Sequence, residues 1–324
     1  MRYRNLGSSG LVVSVLGVGC NAFGARTDAD EVDAIVGEAL EQGITLFDTA
    51  DTYSAGESES LLGAALQGRR DRAVVATKFG MPVTEDDGPD GLARGSRRYI
   101  RQAVEASLRR LGTDRIDLLQ MHTPDRATPL EETLEALDDL VREGKVLYIG
   151  SSNRSAWEVA HADGLARALS TSRFVSVQDE YSLYNRSAEA ELLPASEELG
   201  IGVLPYFPLA YGLLTGKYRR GAAAPEGSRL AESRQRSRLE SADFDTIDAL
   251  QAFADARGVP LLHVAIGALA ARPVIGSVIS GVSRREQIAS NIAALEWEPS
   301  AEDFAELAAI GPDRRPQGYT PFAS

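Results

Sequence analysis

Eight short apolar runs, most of them starting about 27 to 30 residues apart, restrict what this chain can fold into more than any other feature. They are V-L-G-V-G from Val15, T-L-F-D from Thr45, A-V-V-A-T-K from Ala73, I-D-L-L-Q-M-H from Ile116, V-L-Y-I-G-S from Val146, F-V-S-V-Q from Phe174, G-V-L-P-Y from Gly202 and G-S-V-I-S from Gly276. Between them lie stretches with apolar residues three and four apart, the spacing of one helix face, such as Glu31 to Gln42, Ser96 to Leu111, Pro129 to Glu143 and Asp243 to Arg257. Gly43, Gly112, Gly144, Gly200 and Gly258 stand just past periodic runs, where helices stop. Strand and helix alternating in this way predict a parallel sheet with helices outside it. Eight such units predict an α/β chain closed as a (β/α)8 TIM barrel, with 1–324 read as one barrel domain. The competing doubly wound sheet would carry G-x-G-x-x-G after its first strand, where the sequence reads Gly17, Val18, Gly19, Cys20, Asn21, Ala22.

Two additions to the barrel are expected. Y-R-N-L-G-S-S-G-L-V-V-S at the start reads as a β-hairpin about Ser8-Ser9-Gly10, placed to plug the barrel floor. Ser300 to Ile310 reads as an extra C-terminal helix, opened by a capping box of Ser300 and Asp303. The connections Phe79 to Gly95 and Leu209 to Ser241 exceed the repeat, and long connections of a barrel shape its active site. With the tail after Pro312, they are expected to line the substrate pocket.

Composition narrows the function classes. With 34 basic and 47 acidic side chains the formal charge is −13, which disfavours a nucleic-acid or anionic-membrane binder. The single Cys20 removes disulfides and multi-cysteine metal sites, and it reads as a buried neutral thiol because no basic partner stands beside it. No apolar run approaches the ~18 residues of a membrane span. Ile201 to Leu214 carries Pro205 and Pro208, and Leu11 to Cys20 lacks the cleavage site of a signal peptide. A cytoplasmic protein without a metal, membrane or nucleic-acid partner is the expectation.

Barrel enzymes work with side chains at the C-terminal ends of their strands. Here the second strand ends in Asp48, with Tyr53 five residues on, the third in Lys78 and the fourth in His122. A phenol is a weak acid at neutral pH, and a neighbouring ammonium makes its proton easier to release. Lys78 would supply that charge to Tyr53, Asp48 would hold the lysine, and His122 would orient a carbonyl oxygen or share in the proton relay. The set amounts to a general acid that needs no metal. His161 and His263, inside helical stretches, read as structural.

The pattern D-T-A-x-x-Y at Asp48 to Tyr53, the strand-end Lys78 and Met121-His122 resemble the catalytic tetrad of the aldo-keto reductases, and the resemblance runs from the hairpin through Gly281. It implies a barrel that reduces aldehydes and ketones with a nicotinamide cofactor, with Tyr53 as proton donor. It further implies that Ser151 or Ser152, with Asn153 and Gln178, bond the nicotinamide carboxamide, and that Tyr206 of P-Y-F-P-L stacks on its ring. Phe207 departs from the common serine of that segment. Leu209, Gly212 and Lys217 match the segment G-L-L-T-G-K-Y and the loop before it, with Lys217 nearest the pyrophosphate. The further cations Arg219, Arg220, Arg229, Arg234, Arg236 and Arg238 read as a solvated excursion.

Gly281, Gln287 and Asn291 match the family segment that holds the adenosine 2′-phosphate, with Ser283 standing where relatives carry arginine and Arg284 as the next cation. Backbone amides at that helix start are expected to attract the phosphate. NADPH (NADP) is the implied cofactor, NAD the alternative, and a small carbonyl or alcohol the substrate. The rival readings are an NAD-dependent sugar or alcohol dehydrogenase and a regulatory module like the potassium-channel beta subunits, which share the fold.

Overall fold

The computed structural model describes residues 1–83, 89–232 and 235–311. The tail after Pro312, Arg234 and part of the Phe79 to Gly95 connection lie outside the described residues.

The chain opens with β1 (Tyr3–Asn5) and β2 (Val12–Ser14), paired antiparallel as the expected hairpin. Each of the eight apolar runs then becomes a strand: β3 (Leu16–Gly19), β4 (Leu46–Asp48), β5 (Val74–Phe79), β6 (Ile116–Met121), β7 (Val146–Ser152), β8 (Phe174–Glu180), β9 (Gly202–Tyr206) and β10 (Val278–Gly281). All pair in parallel in the order β10, β3 to β9. The ring closes where Val203 donates to the Val274 carbonyl at 2.8 Å and accepts from the Gly276 amide at 2.8 Å.

Outside the ring run α1 (Ala29–Glu41), α2 (Glu57–Ala65), α3 (Arg97–Leu111), α4 (Leu130–Arg142), α5 (Ala156–Leu169) and α6 (Leu192–Leu199). They are followed by the short α7 (Arg236–Glu240), then α8 (Phe244–Ala256), α9 (Leu261–Ala270), α10 (Glu286–Ala293) and α11 (Ala301–Ala309). The apolar faces anticipated for α1, α3, α4 and α8 are the buried ones; in α3 they carry Ile100, Val104, Leu108 and Leu111. That helix ends at Gly112, which takes the left-handed φ of 60°. The capping box is present at α11, where the Ser300 side chain accepts from the Asp303 amide and Asp303 accepts from the Ser300 amide. Among the described residues no single helix is long and apolar enough to cross a membrane.

The hairpin closes the floor. Leu6, Leu11 and Val13 pack with Leu46, Ala76, Leu118, Leu204 and Ile279 from inside the ring, an apolar cluster separate from the larger one between strands and helices. Gly7 makes the closest approach: it has φ 58°, and a Cβ there would lie 2.4 Å from the Gly200 carbonyl oxygen and 2.6 Å from the Gly202 nitrogen. Both neighbours are backbone and cannot swing aside. Gly7→Ala is therefore expected to cost more than ~2 kcal/mol, combining left-handed strain with displacement of the plug. Urea unfolding beside the parent checks this, and a loss under ~0.5 kcal/mol would contradict the tight docking.

Candidate active site

With the floor plugged, the open end is the C-terminal face, where a cavity of about 930 Å³ is lined by the ends of the strands and by the connection after β9. Its base carries Tyr53. The six residues from Asp48 to Tyr53 curl over the ends of β4 and β5, with the Thr49 amide bonded to the Ala76 carbonyl at 2.8 Å and the Tyr53 amide to the Ala50 carbonyl at 3.2 Å. This turn carries the phenol back over the strand end next door. The Lys78 ammonium, with no exposure, donates to Asp48 Oδ2 at 2.6 Å, to the Thr49 carbonyl at 2.8 Å and to the Tyr53 hydroxyl at 3.4 Å. The His122 ring meets Tyr53 edge-on, with centroids 6.1 Å apart. The four residues singled out at the strand ends thus form one cluster.

Asp48 is held from both sides. Its second oxygen accepts from the Gln178 amide at 2.8 Å and from the Gln120 amide at 3.0 Å. Gln120 was missed in the sequence, although an amide inside the apolar run I-D-L-L-Q-M-H, two residues before His122, was a signal that could have found it.

Burial decides the protonation states. It pushes the Tyr53 phenol up; Lys78 pulls it back and Asp48 pushes it further, with a net rise above the ordinary tyrosine value. The ammonium therefore opposes the cost of desolvation without overcoming it. Burial pulls the Lys78 ammonium down, but Asp48 and Tyr53 outweigh it and hold the lysine above its ordinary value. His122 falls to about 3, by burial first and Lys78 second, so it is a neutral imidazole near neutral pH, and its Nδ1 is buried without a hydrogen-bond partner among the described residues. Cys20 is fully buried, and its thiol rises well above the ordinary value through burial and then Asp48.

Next to this cluster Asn153 sits at the end of β7 with φ 55°. Its Nδ2 donates to the His122 carbonyl at 2.8 Å, and its Oδ1 accepts from the Tyr206 hydroxyl at 2.8 Å. Ser152, Asn153, Gln178 and Tyr206 line the cavity. Ser151 does not: strand alternation turns it away, and its Oγ is buried without a partner among the described residues. Leu209, Gly212, Lys217, Gly281, Ser283, Arg284 and Gln287 line the cavity too, whereas Asn291 lies behind it, donating to the Ser280 Oγ at 3.0 Å. Gln287 Oε1 occupies the amides of Ser283 at 2.8 Å and Arg284 at 3.0 Å, and Glu31 takes that of Arg285 at 2.6 Å. These three amides are therefore taken by side chains, where the sequence expectation had amides open to the phosphate. Arg284 is exposed, with no hydrogen-bond or ion-pair partner for its guanidinium among the described residues.

The long connection departs from the solvated excursion read from the sequence. Arg229 reaches into the cavity wall, with its guanidinium carbon 5.1 Å from the ring centres of both Phe207 and Tyr211. It has no carboxylate or carbonyl partner among the described residues, and burial followed by Arg26 lowers its pKa. Arg238 covers the Tyr211 ring at 3.9 Å, whereas Arg220 is tied to Asp245 and Asp248 on the outer surface. None of the described residues between Phe79 and Gly95 lines the cavity.

Such a site fits a polyanionic dinucleotide. Lys217, Arg229 and Arg284 line it without a carboxylate partner among the described residues, the buried Asn21 Oδ1 has no donor among them, and ring faces and amides surround the tyrosine. The model of the Aldo/keto reductase family matches residues 15–312. The chain is 39% identical to the uncharacterized oxidoreductase YrpG of Bacillus subtilis, covering 100% of this chain and 99% of the relative. A probable voltage-gated potassium channel subunit beta of Arabidopsis thaliana is 35% identical over 98% of this chain and 100% of its own. The versiconal hemiacetal acetate reductase of Aspergillus parasiticus is 33% identical, with 95% and 96% covered.

Proposed function

Because the chain belongs to the aldo/keto reductase family of oxidoreductases, we propose that it reduces small aldehydes or ketones with NADPH in the cytoplasm, using Tyr53 as general acid. The observation that carries the reading is the buried chain Asp48–Lys78–Tyr53 opening onto a cavity lined by cations. A reduced nicotinamide bound there supplies the hydride. Tyr53, its pKa raised, stays protonated at neutral pH and holds the proton that the carbonyl oxygen takes up. Neutral His122 orients that oxygen without competing as an acid. Lys78 lowers the cost of the phenolate left behind, and Asp48 keeps the lysine charged.

Ser152, Asn153 and Gln178 are the polar groups for the carboxamide, and the Tyr206 face is the wall for the ring, worth ~0.5 to 1.5 kcal/mol beyond buried area. Lys217, Arg229 and Arg284 supply positive charge for phosphates.

The test is carbonyl-dependent oxidation of NADPH, followed by the loss of its absorbance, with NADH as comparison. Arg284, the free cation beside Ser283, is assigned to the 2′-phosphate. Arg284→Ala should weaken NADPH binding about tenfold and leave NADH nearly unchanged. Equal losses for both, or a parent that prefers NADH, would favour the NAD-dependent dehydrogenase. A second reading, a channel-associated regulatory module, draws on the similarity to the Arabidopsis subunit. It would be favoured by tight cofactor binding without turnover of any carbonyl.

A further inference from the structure

One charged group beside the catalytic turn takes no part in the mechanism. Asp51, two residues before Tyr53, is 1% exposed, and neither carboxylate oxygen has a hydrogen-bond partner among the described residues. The cations that could pair with it are committed elsewhere. Arg110 of α3 gives both Nε and Nη2 to Glu59 Oε2 at 2.7 Å, and Glu59 of α2 also accepts from the Thr77 hydroxyl at 2.5 Å. Lys78 of β5 is spent on Asp48, Thr49 and Tyr53.

We propose that Asp51 is a positioning residue for Tyr53, a buried acid whose neutral form lets the catalytic turn stay packed and whose ionisation displaces that turn. The proposal rests on the carbonyl-reductase reading of the site. A buried carboxylate with no cationic partner is costly, whereas the neutral acid is tolerated. Burial first and Glu59 second push the carboxyl up to about 7, against the pull of Arg110, the adjacent Thr52 amide and Lys78. Once ionised, Asp51 can reach water only by moving its turn outward, since Glu59 repels it and Arg110 is already engaged.

Ser54, Ala55 and Gly56 follow at φ 51°, 53° and 92°, a left-handed run that persists only while its surroundings hold it. The side-chain ties are few: Thr52 Oγ1 to the Pro82 carbonyl at 2.9 Å and Ser54 Oγ to the Phe23 carbonyl at 3.0 Å. The 3.4 Å contact between Lys78 and Tyr53 is long for a hydrogen bond, and it is the first to be lost if the turn shifts.

The experiment compares the parent with Asp51→Asn, which keeps the shape and removes the ionisation, and with Asp51→Ser should the first variant not fold. Thermal melting is followed across pH 5 to 8. The folded parent holds this proton up to about pH 7 and the unfolded chain releases it near the ordinary carboxylate value. Parent stability therefore falls as pH rises through that window, by about tenfold in the folding equilibrium per unit, and levels off above it. The variant's melting advantage should grow from pH 5 to 7 and then flatten.

In turnover, the parent's kcat for reduction should fall roughly threefold or more between pH 6 and 8, a limb that the variant lacks. Tyr53 and His122 titrate outside this range. Asp179→Asn serves as control, because burial pushes that carboxyl up to about 6. A folded variant that keeps the limb, or a melting difference independent of pH, overturns the proposal. Melting needs no turnover, so it decides even if no carbonyl is reduced.

Discussion

Tyr53→Phe should lower carbonyl reduction by ~100- to 10,000-fold, the usual contribution of a positioned general acid, while NADPH binding changes little. The hydroxyl it removes contacts only Lys78 among the described residues, at 3.4 Å, and the ring that faces His122 remains. Steady-state reduction and a cofactor-fluorescence titration on one preparation separate the two effects. Retention of more than about a third of the rate would remove Tyr53 from the proton-donor role.

Lys78→Met should have the second large effect, and its signature is a pH profile. The lysine is the main influence drawing the Tyr53 phenol down against burial, so the variant's phenol titrates higher still. Alcohol oxidation needs the phenolate, whose fraction below its pKa falls about tenfold for each unit of rise. The variant's oxidation rate should therefore be most depressed at neutral pH and recover part of its loss as pH climbs. The change also strips Asp48 of its charged partner, leaving two amides to hold a buried carboxylate, at a cost of ~3 to 5 kcal/mol. Circular dichroism melting must first show a folded variant. A folded Lys78→Met protein with the parent's pH profile for oxidation would rule out the tuning role.

What the chain disclosed in advance follows from the range of the interactions involved. Strands buried on both faces need unbroken apolar runs, and helices against them need a face at 3.6 spacing; both are local, so β3 to β10 and α3 lie where the pattern puts them. That Asp48, Tyr53, Lys78 and His122 form one cluster was legible because strand ends in a barrel converge whatever the loops do. Contacts set by neighbours distant in sequence were not. Whether Ser151 or Ser152 faces the cavity depends on register, and β7 is irregular against β8 at Ile149/Gly150. Glu31 reaches the Arg285 amide, just before α10, across the fold, and no motif records it. Arg229 looked like one more cation in a charged loop, and only the rings of Phe207 and Tyr211 bring it to the wall. Asp51 looked like a spacer inside D-T-A-x-x-Y until its burial was known.

Asp48 binds side chains from β5, β6 and β8 to the end of β4, so the atom group that carries the site's negative charge is also a hub where four staves of the barrel meet. Assembly of the ring and assembly of the chemistry are therefore a single event. A lineage descending from this protein could trade away its substrate by altering the connection after β9 and keep its shape. Shedding the acid at the centre would leave Lys78, Gln120 and Gln178 without the group they share.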